Sequence, residues 1–121
     1  MVCKMIEYYW DGENWLKVVK SYDLIRYYLG VNLHRNEGPA VIFYDIICDI
    51  KSNCDIKIEK FYHHGKIHRN DGPAIIQNFT DGFKVYEYYF NGIEFNPDDL
   101  SFEMPIDTEE KEFMFHLKYG V

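Results

Sequence analysis

The sequence predicts a mainly β fold, in which antiparallel β-hairpin repeats form a twisted meander sheet and one short C-terminal α-helix acts as a cap. Three observations carry this prediction. Aromatic residues reach 18% of the chain, with 11 Tyr and 9 Phe, the side chains that suit a pleated, half-buried surface. Turn signals recur at Asp11-Gly12, His64-Gly65, Asp71-Gly72, Asp81-Gly82 and Asn91-Gly92, separating short runs rich in Tyr, Phe, Ile and Val. The segment HRNEGPA at 34–40 returns as HRNDGPA at 68–74, an internal repeat with an offset of 34 residues.

The elements follow in chain order. IEYYWDG at 6–12 opens the first hairpin with an aromatic pair and an Asp-Gly turn. YYLGVNLHRNEGPAVI at 27–42 and FYHHGKIHRNDGPAII at 61–76 are the two full repeat units. Their Asn can bond its own backbone, their Gly can take positive φ, and their Pro fixes φ as the chain enters the next strand. Ala40 and Ala74 are the only alanines present and both close the motif, which points to steric exclusion by a neighbouring backbone or ring. Between the units, DIKIE at 55–59 alternates Ile56 and Ile58 with charged residues, as a strand does. YEYYFNG at 86–92 repeats the aromatic lead-in without the His-Arg tail. Incomplete outer copies are what stacked repeats show at their ends.

Hairpins are thus expected over about 4–95, a connector over 96–106 and the helix over about 107–119, in a single domain. Asp107 is the expected N-cap, with Glu110 three residues on and Gly120 as the stop. Phe113, Met114 and Leu117 are the expected apolar stripe, lying across an open end of the sheet.

Composition narrows the function. The net charge is -7, from 20 acidic and 13 basic residues, so generic binding to nucleic acid or an anionic membrane is disfavoured; a local basic patch could still exist, but Arg26, Arg35 and Arg69 are the only arginines. Three cysteines, Cys3, Cys48 and Cys54, lack C-x-x-C spacing and read as free thiols in a reducing compartment. No stretch approaches the roughly 18 apolar residues of a membrane span, and the start lacks the apolar region of a signal peptide. A soluble, cytoplasmic protein is expected.

The pattern Y-Y-x-x-G-x-(I/L)-H-R-N-(D/E)-G-P-A resembles the MORN-like repeat variants of giant DNA viruses and bacteriophages, over about 25–95. The resemblance implies hairpins added to a growing antiparallel sheet, a binding or scaffolding role without an assigned catalytic residue, and a host cytoplasm as the setting. An abundance of Ile, Lys, Asn, Tyr and Phe fits an A/T-rich viral genome. Two departures stand out: Val31 occupies the place of Gly65, and Phe95 and Asn96 fall where His68 and Arg69 would be.

The candidate binding residues are His34, Arg35, His68, Arg69, Tyr28 and Tyr62. Two guanidinium forks one repeat apart could clamp a carboxylate or phosphate beside aromatic faces. The simpler reading makes each Arg a staple on its own turn and ring. His34 and His68 could serve as an acid/base pair in a small hydrolase, but no nucleophile recurs with them. His63, His64 and His68 are close in sequence, yet strand alternation would send His63 and His64 to opposite faces, so neither a metal site nor a cofactor is expected. The aromatic pairs Tyr8-Tyr9, Tyr27-Tyr28, Phe61-Tyr62 and Tyr88-Tyr89 should each divide between two faces. The leading expectation is a non-enzymatic binding module with a protein partner. Sequestration of a small, nucleotide-like anion is the alternative, and edge strands invite homo-oligomers.

Overall fold

The computed structural model describes residues 4–47 and 54–120; Cys3 and Cys48 lie outside them, and with them most of the free-thiol expectation. The strands are β1 (Met5–Trp10), β2 (Trp15–Lys20), β3 (Leu24–Leu29), β4 (Asn32–Leu33), β5 (Val41–Ile47), β6 (Cys54–Lys60), β7 (Tyr62–His63), β8 (Lys66–Ile67), β9 (Ile75–Phe79), β10 (Lys84–Phe90) and β11 (Ile93–Phe95). A short 3-10 turn at Pro97–Asp99 and helix α1 (Glu109–Tyr119) follow. Every pairing is antiparallel, in the order β1-β2-β3-β5-β6-β9-β10-β11, with β4 on β3 and β7 on β8. The sheet is therefore an open meander with β1 and β11 at its ends.

Asp-Gly chemistry makes the plain hairpins. Asp11 Oδ1 accepts the N–H of Glu13 at 2.8 Å and of Asn14 at 2.7 Å, and Asp81 Oδ1 accepts that of Phe83 at 2.9 Å. Gly12 and Gly82 follow at φ 101° and 92°, where a Cβ would be strained.

Three smaller hairpins project from the ladder and lie side by side. The β7–β8 turn puts His64 and Gly65 at φ 50° and 83°, and the β10–β11 turn puts Asn91 and Gly92 at 48° and 82°, as type I′ geometry requires. In the β3–β4 turn only Gly30 is left-handed, so Val31 in place of Gly65 does change the turn. Gly65 donates its N–H to Leu33 O at 2.9 Å, and Gly92 does the same to Ile67 O at 2.7 Å. Arg35 N–H reaches Tyr62 O at 3.2 Å, and Arg69 N–H reaches Tyr89 O at 3.0 Å. One set of joints thus recurs from hairpin to hairpin.

Ala40 and Ala74 are both 0% exposed, as their rarity implied. Each accepts a backbone bond from one strand, Tyr27 or Phe61, and donates one to the other side, Lys60 or Glu87. Held between two neighbours in this way, the position has room for a methyl group and little more.

The β11 end carries the clustered core of Phe90, Phe95, Ile106 and Phe115. Helix α1 begins later than expected: Thr108, not Asp107, is the N-cap, its Oγ1 accepting the N–H of Lys111 at 3.2 Å. Asp107 instead pairs with Lys111 Nζ at 3.1 Å. Gly120 closes the helix in the left-handed region at φ 72°, as expected. The apolar stripe differs from the expected one. Phe115 is fully buried with Tyr119 beside it, whereas Phe113 and Leu117 are 64% and 69% exposed. Both pairs are one turn apart, so spacing could not choose between them; the two-ring pair meets the aromatic end of the sheet.

Candidate functional site

The site is assembled by the two HRN(E/D)GPA loops. In the first, the fully buried His34 presents Nδ1 to the N–H of His64 at 3.0 Å, joining one hairpin to the tip of the next. His68 repeats the bond to the N–H of Asn91 at 2.9 Å. An imidazole that accepts at Nδ1 carries its proton on Nε2 when neutral, so neither ring keeps a free lone pair for general-base work. The third hairpin ends the series. Phe95 stands at the position of His68 and packs its ring 5.2 Å from that of Phe115, under α1.

The arginines repeat as faithfully. Arg35 lies 4.1 Å over the Tyr27 ring and donates Nη1 to Pro39 O at 3.3 Å; Arg69 lies 4.2 Å over Phe61 and donates Nη1 to Pro73 O at 3.1 Å. A Cβ on Gly38 would approach Arg35 Cζ to 3.3 Å, and one on Gly72 would approach Arg69 Cζ to 3.1 Å. Neither glycine has positive φ, which corrects the expected reason for them. Space for the folded-back guanidinium, rather than a left-handed backbone, is what they supply.

One methylene separates the two copies. Asp71 reaches back to Arg69 Nε at 2.9 Å, but Glu37 turns away to accept the hydroxyl of Tyr9 at 2.9 Å. Arg35 Nε is consequently buried with no partner among the described residues. Between the loops runs a cleft of about 410 Å³, lined by Arg35, Glu37, Tyr62, His63, Arg69 and Asp71 among others. The two forks and Tyr62 thus share a cleft. Tyr28 does not join them; it lies in a separate cleft with Arg26.

His34, His63 and His64 gather with ring centroids 4.2–4.7 Å apart, contrary to the expectation that His63 and His64 diverge. The reason is local: His64 occupies the left-handed turn, where strand alternation does not hold. One nitrogen of each lies within 4.8 Å of the others. A ligating histidine uses its second nitrogen as a donor, whereas His34 uses Nδ1 as an acceptor. The cluster therefore offers His63 and His64 as ligands, with His34 in the wrong tautomer.

Burial, and then the charges of His63 and His64, hold the pKa of His34 below 6.5, while Asp11 and Glu13 oppose the shift. Burial and then His64 lower His63; burial and then His63 lower His68. With three folded-state pKa values depressed, the unfolded chain takes up protons first. Stability should be level above about pH 7.5 and fall as pH drops through the unfolded value near 6.5. Thermal melts from pH 8 to 5 check this, and a melting temperature that rises on acidification would rule out the neutral staples.

Sequence reasoning gave Tyr9, Asp11 and Arg26 no place in the site, treating them as an aromatic-pair member, a turn residue and one of three arginines. Arg26 carried one usable signal: a charged residue inside the otherwise uncharged strand run LIRYYL. Comparison with family models, curated proteins and solved structures found no match.

Proposed function

We propose that the chain is a non-enzymatic binding module whose working surface is the β1 end of its sheet. The observation that carries this reading is the inequality of the two sheet ends. At β11 the aromatic residues are covered by α1, whereas every residue of β1 is exposed, including Met5, Ile6, Tyr8, Tyr9 and Trp10. Trp15, paired with Trp10 across the hairpin, is exposed as well. An uncovered edge strand lined with large apolar side chains is a template for a partner. The MORN-like resemblance supports the same class, in a viral protein acting on a host or viral macromolecule. The test is capture from host lysate with native mass spectrometry, comparing the parent chain with Trp10→Ser and Trp15→Ser together. Equal capture by both would remove β1 as the working surface.

A small anion held between Arg35 and Arg69 is the second reading, favoured by the unpartnered Nε of Arg35. The ring and carbonyl contacts of both arginines support the staple instead. Arg69→Ala is expected to cost about 1–2 kcal/mol and Arg35→Ala about 1 kcal/mol, from lost packing and hydrogen bonds. Urea melts measure this, and calorimetry with nucleotides decides the alternative. Variants that remain as stable as the parent yet lose heat of nucleotide binding would favour the clamp.

A further inference from the structure

Three cations without an ion pair among the described residues, Lys4, Lys17 and Arg26, lie together on one face of the β1 end. Register pairs Tyr8 with Lys17 and Lys17 with Tyr28; the next row pairs Ile6 with Val19 and Val19 with Arg26. Alternation adds Lys4 at one end of this face and the Trp10–Trp15 pair, with centroids 5.5 Å apart, at the other. Lys4, Lys17, Arg26 and Tyr28 line one cleft of about 350 Å³ beside the Gly30–Val31 turn.

No acid from β1 to β3 shares this face. Glu7 belongs to the opposite face, where it pairs with Lys20 at 3.0 Å. Among the described residues Lys4, Lys17 and Arg26 have no carboxylate partner, in a chain whose net charge is -7. Arg26 Nε is buried without an acceptor among the described residues, and its guanidinium lies 5.8 Å from the centre of the Tyr28 ring. A buried guanidinium N–H lacking an acceptor is destabilising, and the half-buried Arg26 also lines the cleft, so the position makes sense when a ligand there supplies the anion.

That ligand must offer negative charges in a row and flat rings beside them. The same-face rows of the sheet are about 6.8 Å apart along a strand, and one row read across the strands sets Lys17 between the rings of Tyr8 and Tyr28. A duplex keeps its bases inside, whereas a single strand presents phosphates and π-faces together. We propose that the β1–β3 face binds single-stranded nucleic acid, with Lys4, Lys17 and Arg26 on phosphates and with Tyr8, Tyr28 and the Trp10–Trp15 pair against bases. This inference rests on the binding-module reading and gives it a partner class. It also confines binding to one patch, in keeping with an acidic chain that repels nucleic acid elsewhere.

The test is fluorescence anisotropy of the full chain with labelled single strands of about ten nucleotides, from about 50 to 200 mM salt. Saturable binding is expected, with log K falling against log salt at a slope of about -2 for three phosphates. Lys17→Ala with Arg26→Gln should weaken binding at least about tenfold and bring the slope to about -0.7. Because Arg26→Gln can disturb folding, Lys4→Ala with Lys17→Ala, both exposed, must show the same trend with an unchanged circular dichroism spectrum. Trp10→Ser with Trp15→Ser should weaken binding at the parent slope. An absence of strand binding at the lower salt, a matched duplex bound as tightly, or unaltered binding by the cation variants would overturn the inference. Loss of strand binding alongside Trp-dependent capture of a protein would sink this inference alone and leave the binding module standing.

Discussion

Replacing His34 by Ala should lower stability by about 3–4 kcal/mol, a fall in melting temperature of about 10–20 °C for a chain of this size. The side chain is 1% exposed and its Nδ1 accepts the N–H of His64 across 30 residues of sequence. Truncation removes a part-buried hydrogen bond worth about 0.5–1.5 kcal/mol and opens a ring-sized cavity, which is the larger loss. His68→Ala loses an equivalent bond to Asn91, but His68 is only half-buried, so about 1–2 kcal/mol is expected. His34→Phe isolates the bond from the volume. It keeps a ring and discards the acceptor, and should fall between the parent and His34→Ala. Urea melts at about pH 7.5 give all three, with His34 and His68 neutral because burial lowers both. A His34→Ala value within about 0.5 kcal/mol of the parent would mean that the inter-hairpin bond contributes nothing.

Phe95 shows why that third variant is informative. The chain places Phe where His68 would recur, at the hairpin beyond which no further tip is stacked. An acceptor there would have no backbone N–H to meet, whereas a phenyl ring meets Phe115 of the covering helix. The change from His to Phe thus marks the end of the hairpin stack. His continues it and Phe closes it.

This logic was partly legible in the sequence. Asp-Gly and Asn-Gly turns, the 34-residue offset and the two alanines placed the hairpins and the crowded positions, because turn chemistry and side-chain size leave signals in residue type. The partner of His34 left none, since it is a backbone N–H that any residue except proline would supply at position 64. Glu37 and Asp71 look interchangeable as letters, yet the longer chain reaches Tyr9 and leaves Arg35 Nε bare. Lys4, Lys17 and Arg26 come together only once the register of three strands is known, so their cleft had no signature along the chain. The outward face of α1 was misjudged for a related reason. Phe113–Leu117 and Phe115–Tyr119 have identical spacing, and only the sheet end decides which pair is buried.

Phe115→Ala tests that decision with an effect as large as that of His34. Phe115 is 0% exposed, with its centroid 5.0 Å from Phe90, 5.2 Å from Phe95 and 4.8 Å from Tyr119. Truncating a fully buried Phe costs about 3–5 kcal/mol. The loss falls on one contact area, because α1 has 11 residues and Phe115 is its only fully buried side chain. A helix that short is marginal in water without its tertiary contacts. Its release would uncover Phe90 and Phe95 beside the last strand, making the β11 end as open as the β1 end. The variant should therefore lose helical circular dichroism before the sheet melts and shift toward higher mass in sedimentation. Phe113→Ala, on the exposed face, should change stability by less than about 0.5 kcal/mol and leave the mass distribution unchanged. If Phe115→Ala keeps the parent's helical signal and sedimentation profile, α1 is not what closes the sheet, and the inequality of the two ends no longer supports β1 as the binding surface.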